Sequence, residues 1–171
     1  MSSDESPNNQ AIFEAQDHGI YFLDQEVKLM REVLANMHEE QQAILNRDEK
    51  TMEDVMSRRT VLYKNITSVR NERMQAMEQL AILLLSNKNA DLLFDEKLGL
   101  GVLLSARGVD SCEILNLRDQ MVAIVEKMNQ QICRNHDLVK HHISYFPDAL
   151  QYYTQVQAPK TPTKLLLTDE N

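Results

Sequence analysis

Apolar residues recur along the first part of the chain with the spacing of a helix that packs against other helices. A heptad repeat begins near residue 20 and places an apolar side chain at two positions in most repeats: Leu23, Val27, Met30, Leu34, Met37 and Ile44. Such spacing is typical of coiled-coil a and d positions. It predicts a first helix over about residues 20–45, after a polar lead, residues 1–19, that is disordered or partly ordered.

A short polar interruption after this repeat predicts a hairpin corner near Asn46 to Asp48. Asn46 and Glu49 have the spacing of a capping box, and Asp48 is itself a good N-cap residue. Neither Gly nor Pro enforces the break, so one continuous helix is the alternative.

Beyond the corner, the apolar pattern predicts a second helix over about residues 49–86. Arg59 and Arg73 stand at steps of this pattern that are otherwise apolar. Their methylene stems can lie along the helix interface while the guanidinium groups reach water or a glutamate on a neighbouring helix.

The rest of the chain predicts a short irregular helical segment, a third long helix and a tail. Residues 90–106 are apolar, and three glycines lie within or just after them, which favours short helices with a bend. The third helix covers about residues 111–146 and ends before Pro147. The predicted fold is all-α, an elongated antiparallel, coiled-coil-like bundle over residues 20–153, followed by an extended tail, residues 154–171.

The composition agrees with long helices. Glycine accounts for 4 of 171 residues, Trp is absent, and 43% of residues are hydrophobic while 5% are aromatic. An average proportion of glycine would give roughly 12 in a chain of this length. The scarcity disfavours Gly-rich phosphate loops and tight-turn β architectures, and it indicates an aliphatic core.

The charge and the apolar runs limit the compartment and the partners. The 26 acidic and 18 basic residues give a net charge of −8, and the basic residues are scattered beside acidic ones. Such a chain repels a nucleic-acid backbone and an anionic membrane. The first residues, MSSDESPNNQ, lack the features of a signal peptide, and no apolar run approaches a membrane span. We expect a cytoplasmic protein without a nucleic-acid partner or a membrane span.

No catalytic motif stands out in the sequence, so we expect no enzyme activity, no cofactor and no metal. His136, Asp137 and His141 lie close together, and Asp137 and His141 could chelate a metal, but a solvated polar helix face is the simpler interpretation. Cys112 and Cys133 fall about 30 Å apart along one predicted helix, too far for a disulfide within the chain.

The nine methionines leave two interpretations open. Eight of them occupy or flank the apolar positions: Met30, Met37, Met52, Met56, Met74, Met77, Met121 and Met128. They either fill the core of the bundle or line a groove that accepts the amphipathic helix of a partner.

Three segments together resemble the FlgN family of flagellar and type III export chaperones. Residues 23–48, from LDQEV to LNRD, are similar to the opening helix and hairpin of that family. Residues 135–139, NHDLV, are similar to its N-x-x-L-[IL] step late in the last long helix, and residues 164–169, KLLLTD, to its short leucine-containing tail. The chain departs from the family in residues 90–108, which are longer and more apolar than the usual linker, and in a tail with prolines and lysines in place of glycines.

The resemblance implies a small cytosolic chaperone that binds an amphipathic helix of a secreted or filament-type substrate, prevents its premature assembly and delivers it to the export gate. For substrate contact we expect the apolar side of the third helix: Met128, Ile132, Leu138, Val139 and Ile143. For docking to a component of the export gate we expect two aromatic and three aliphatic residues: Tyr152, Tyr153, Leu165, Leu166 and Leu167.

The pattern of the helices alone leaves a second function open, a structural coiled-coil adaptor or homodimer with no secreted client. The tail is equally open, since its three leucines either fold back on the bundle or are held out as a docking peptide. Tyr152 and Tyr153 pack on the end of the bundle or, if exposed, serve as interface anchors.

Overall fold

A computed structural model describes residues 7–86 and 111–141, and these residues form three α-helices with no strand among them. Helix α1 covers Pro7–Asn46, α2 covers Glu49–Ser86 and α3 covers Ser111–His141. The all-α class and the helical bundle are confirmed, and α2 has the bounds that its pattern predicts. The predicted helical segment 90–106 and the predicted end of the third helix, residues 142–146, lie outside the described residues.

Helix α1 begins at Pro7 and not near residue 20, so residues 7–19 are helical and not part of a polar lead. Ile12 and Ala15 are buried, and Gly19 is buried one turn before Leu23. The apolar stripe of α1 therefore extends toward its N-terminus through small residues, which a search for large apolar side chains passes over. Proline at the first position suits a helix start because the missing N–H has no intrahelical acceptor there.

The predicted corner is present, and α1 ends in a Schellman motif. The Asp48 N–H donates to the Ala43 carbonyl (2.9 Å), and the Arg47 N–H donates to the Ile44 carbonyl (3.2 Å). Arg47 has a φ of 55°, in the left-handed region that glycine usually occupies at this position. The chain therefore breaks into two helices without Gly or Pro.

Asp48 caps the start of α2, as its sequence position predicts. The Thr51 N–H donates to Oδ1 of Asp48 (3.0 Å), and the Thr51 hydroxyl donates to Oδ2 (2.7 Å). The hydroxyl and then the N–H of Thr51 are the main causes that hold the pKa of the Asp48 carboxyl below its usual value.

Contacts divide the chain into two compact units, and each contains part of every helix. The first unit includes the described residues 7–27, 67–86 and 111–119. Its core is aliphatic, with buried side chains from all three helices: Ile12, Ala15, Leu23, Val27, Ala76, Met77, Leu80, Leu84, Ile114 and Leu117. The predicted single domain 20–153 stays a prediction.

The second unit includes the described residues 28–66 and 120–141 and contains the α1–α2 turn. Ile44 packs with Met52 close to the turn, whereas Ala35 and Val61 line one groove farther from it, so α1 and α2 are antiparallel. The buried apolar side chains that form the core of this unit are again aliphatic: Met30, Val33, Met37, Ala43, Ile44, Met52, Val55, Ile66, Met121, Ile124, Val125, Met128 and Val139.

The methionines mainly fill the core. Of the eight that the pattern singles out, six are buried: Met30, Met37, Met52, Met77, Met121 and Met128. Met56 is half-buried and Met74 is half-exposed. Core filling is thus confirmed for these six side chains.

Candidate functional site

The first unit buries a carboxylate between two arginines. Glu26 on α1 is fully buried, and Nε of Arg70 donates to its Oε1 (2.9 Å) while Nε of Arg73 donates to its Oε2 (2.9 Å). The Arg73 side chain is also buried, and that of Arg70 is 16% exposed. Both arginines come from α2, so this cluster joins two helices.

The second unit buries a carboxylate that pairs with a single arginine among the described residues. Nη2 of Arg59 donates to Oε2 of Glu40 (2.8 Å), and its Nε donates to Oδ1 of Asn36 (2.8 Å). Nδ2 of Asn36 in turn donates to the Val55 carbonyl (3.0 Å). The side chains of Arg59, Glu40 and Asn36 are all buried. Of the two partners that the sequence leaves open for the Arg59 guanidinium, water or a glutamate on a neighbouring helix, the structure shows the glutamate.

Helix α3 joins this second cluster through Asn135. Its Nδ2 donates to Oε2 of Glu40 (2.6 Å) and to the Met37 carbonyl (2.8 Å). Nε2 of Gln131 donates to Oδ1 of Asn135 (2.8 Å) and to Oε1 of Gln41 (2.9 Å). Asn135 opens the segment NHDLV that resembles the FlgN family, and here its amide fixes α3 to α1.

The two carboxylates occupy equivalent heptad positions. Glu40 follows Glu26 by two heptads, and Arg73 follows Arg59 by the same interval on the antiparallel helix. Each glutamate therefore meets its arginine at the same register of the α1–α2 hairpin. Both arginines stand out in the sequence because they interrupt an apolar pattern, whereas neither glutamate does.

A shift of the hairpin by one heptad would remove both pairs. Glu26 would then lie opposite Ile66 or Leu80, and Glu40 opposite Met52 or Ile66. All three are buried apolar residues, and a buried charge without a partner is strongly destabilising. The ion pairs thus disfavour the nearest alternative register.

The substrate surface predicted on the third helix lies partly in the core of the second unit. Met128 and Val139 are buried, and Ile132 and Leu138 are half-buried. The structure brings Ile132, Leu138 and Val139 together on one cluster with residues of α1 and α2: Ala43, Ile44, Met52 and Met56. Ile143 lies outside the described residues, as do the predicted gate-docking residues Tyr152, Tyr153, Leu165, Leu166 and Leu167.

A groove that the sequence did not predict lies between α1 and α2 of the second unit, with a volume of about 410 Å³. We call it the Ala35–Val61 groove. Its lining combines apolar and charged side chains: Glu32, Ala35, Asn36, Glu39, Arg58, Val61 and Leu62.

The described residues contain no group of three or more His, Cys, Asp or Glu side chains placed to hold a metal ion. Nδ1 of His136 lies 3.9 Å from Oδ1 of its neighbour Asp137. Cys112 and Cys133 are exposed on α3 and form no disulfide. None of the three helices is both long and apolar enough, over its described residues, to cross a membrane.

A comparison with protein-family models matches residues 20–162 to the family described as FlgN protein. No curated protein and no solved structure matches the chain. The matched range includes both buried carboxylates and all of α3, and it begins after the N-terminal part of α1, residues 7–19. Since the match spans well over half of the sequence, the chain belongs to the FlgN family, a family of flagellar export chaperones.

Proposed function

We propose that this chain is a cytoplasmic export chaperone that binds an amphipathic helix of a flagellar export substrate, prevents its premature assembly and delivers it to the export gate. The observation that carries the proposal is the family match over residues 20–162. The net charge of −8 and the aliphatic core support a protein partner over a nucleic acid.

The proposed substrate surface is the apolar side of α3 near its described end. Ile132 and Leu138 keep part of their side chains accessible, and the buried Met128 and Val139 hold this side of α3 against the bundle. Ile143, outside the described residues, follows Val139 by four positions in the sequence, the spacing of the same apolar pattern. A substrate helix that lays its apolar face along this stripe uses the helix-in-groove mode of peptide recognition.

The proposed contact with the export gate uses Tyr152 and Tyr153, at the predicted end of the bundle domain, and Leu165 to Leu167 in the tail. Tyrosine is one of the residue types enriched at the energetic hot spots of protein interfaces, which supports the choice of the tyrosines. Deleting residues 159–171 should leave helicity and substrate binding nearly unchanged and impair export of the substrate. If the deletion lowered the thermal stability as strongly as it impaired export, the tail would belong to the core instead.

Direct binding tests the proposal. Purified filament-type flagellar proteins of the same cell are titrated, one at a time, into the full chain and into a variant with Ile132→Ser and Leu138→Ser. We expect one of them to bind and the variant to lose roughly ten- to a hundredfold in affinity. Val122→Ser is the matched control, since Val122 is 43% exposed on the same helix.

Two outcomes would contradict the proposal. If the variant with Ile132→Ser and Leu138→Ser binds with unchanged affinity, α3 is not the substrate surface. A stable homodimer that binds none of the filament-type proteins would favour the structural adaptor.

A further inference from the structure

The Ala35–Val61 groove has an apolar centre that no side chain of the described residues covers. Val61 is 56% exposed, Ala35 is exposed and Leu62 is half-buried. A volume of about 410 Å³ falls within the range of pockets that hold ligands or side chains of a partner. A groove of this size with an exposed apolar centre can accept apolar side chains of a docking segment.

Two of the α1 residues that line the groove are smaller or more polar than their counterparts earlier in the same helix. Ala35 and Asn36 stand two heptads after Tyr21 and Phe22. The rings of Tyr21 and Phe22 lie edge to face, with centroids 5.3 Å apart. Tyrosine is therefore compatible with α1 at the position equivalent to Ala35, and there it would occupy the groove.

The rim of the groove carries one acidic group that is open to a cation. Glu39 pairs with Arg58 across the groove. Glu32 is exposed and forms no ion pair with a described residue. The groove thus suits a peptide that places leucine side chains next to a lysine.

We propose that the Ala35–Val61 groove holds the chain's own segment 159–167, with its leucines on Val61 and a lysine beside Glu32. This segment, PKTPTKLLL, contains two lysines and no acidic residue in a chain of net charge −8. Its two prolines favour an extended backbone. In that conformation Leu165 and Leu167 point to the same side, toward the groove.

The segment is long enough to reach the groove from the end of α3. Arg31 contacts Gln120 and Gln41 contacts Gln131, so α3 runs parallel to α1 in this unit. His141 therefore lies about 24 Å along the helix axis from the level of Ala35. If the helix continues to residue 146, as its pattern predicts, the distance to cover rises to about 32 Å. Residues 147 to 159 span up to about 45 Å when extended, which is still sufficient. A tether of this length gives an effective concentration of about a millimolar, so weak contacts suffice for docking.

Docking in the groove would compete with the proposed contact at the export gate, because Leu165 to Leu167 cannot occupy both places. This consequence alone rests on the proposed function. The docking itself rests on the groove, the charges and the tether, and it is tested without substrate or export gate.

Limited digestion of the full chain with trypsin tests the docking, because trypsin cleaves between Lys164 and Leu165. We expect Ala35→Tyr, which fills the groove, to raise the rate of this cleavage about tenfold, as loss of about 1.4 kcal/mol of docking energy would do. Glu32→Gln should raise it less. Ala123→Tyr, the same substitution at an exposed position of α3, is the matched control and should leave the rate unchanged. Equal rates in Ala35→Tyr and Ala123→Tyr would overturn the proposal.

The methyl signals of Val61 give a second measurement that does not depend on substitutions in the groove. In the full chain, Leu165→Ser with Leu167→Ser should shift these signals and leave those of the buried Val33 in place. The shift should be the same after tenfold dilution, since the contact is intramolecular. A shift that disappears on dilution would show that the groove binds a second copy of the chain. The absence of any shift would show that the tail does not bind in the groove. Either result overturns the proposal.

Discussion

Glu26 and Glu40 occupy equivalent positions on α1, two heptads apart, but the groups that neutralise them differ. Each oxygen of Glu26 accepts a hydrogen bond from a different arginine of α2. Oε2 of Glu40 accepts from both Arg59 and Asn135, and its Oε1 is buried without a hydrogen-bond partner among the described residues. The first carboxylate is thus compensated within the α1–α2 hairpin, whereas the second depends on all three helices.

The two clusters differ because two positions of the repeated pattern carry different residues in each. Arg70, the second arginine at Glu26, has Met56 as its counterpart two heptads earlier, so the Glu40 cluster lacks a second cation. Asn135 has Met121 as its counterpart, and a methionine cannot donate a hydrogen bond. A repeated ion pair can therefore strengthen a hairpin in one unit and attach a third helix in the other.

The largest expected effect on stability is at the arginines that pair with the two buried carboxylates. Arg59→Met leaves Glu40 buried without a cation and should lower the free energy of unfolding by roughly 3–5 kcal/mol. Arg73→Met should cost less, because Arg70 still pairs with Glu26. Urea denaturation of both variants measures the difference, and equal losses would show that the second arginine does not compensate.

Removal of the amide on α3 should have the next largest effect. Asn135→Ala deletes the donor to Glu40 and to the Met37 carbonyl, and we expect a loss of about 1–3 kcal/mol in the free energy of unfolding. Asn129→Ala is the matched control, since Nδ2 of Asn129 is buried without a hydrogen-bond partner among the described residues. If both variants lose the same stability, the contact between Asn135 and Glu40 contributes nothing specific.

The helices were predictable because their apolar residues follow the heptad, and the corner was predictable because Asp48 is a good cap. The buried glutamates do not follow from the heptad. The heptad places Val27 and Leu34 at the second apolar position, four residues after Leu23 and Met30. The buried set also includes the residues three positions after each, Glu26 and Val33. Glutamates two heptads apart on one helix, with arginines at the same interval on the next, were the available signal.

Other features depend on tertiary contacts that a single sequence does not reveal. The start of α1 rests on small buried residues, Ala15 and Gly19, that carry little hydrophobic signal. The burial of Met128 and Val139 follows from the packing of α3 against the hairpin, so a substrate surface chosen by apolarity alone included core residues. The Ala35–Val61 groove also could not be predicted, because its lining comes from two helices that meet only in the fold.

A smaller effect is expected at the turn, which belongs to the unit of Glu40. Arg47→Gly and Arg47→Ala both remove the side chain beyond Cβ, but only glycine also removes the cost of a Cβ in the left-handed region. The free energy of unfolding should therefore be higher for Arg47→Gly than for Arg47→Ala by about 0.5–1 kcal/mol. Thermal unfolding measures the difference. Asn46→Gly, at the preceding helical residue, is the control and should destabilise.

The smallest effect concerns the pH dependence of the same turn. Hydrogen bonds from the hydroxyl and N–H of Thr51 lower the pKa of Asp48, so its cap stabilises the fold fully above the unfolded-state pKa. That stability is lost as the pH falls through the lower, folded-state pKa. Thr51→Val should raise the pKa of Asp48 in an NMR titration, and an unchanged pKa would exclude the hydroxyl as its cause.

Hydrogen exchange of the α3 amides over residues 120–141 tests most directly that Glu40, and not Glu26, attaches the third helix. The two matched variants are Glu26→Gln and Glu40→Gln, each compared with the unchanged chain. We expect Glu40→Gln to accelerate exchange in this part of α3 by about tenfold, as an opening free energy lower by about 1.4 kcal/mol would do, and Glu26→Gln to accelerate it much less. Equal acceleration of these amides by the two variants would contradict the account.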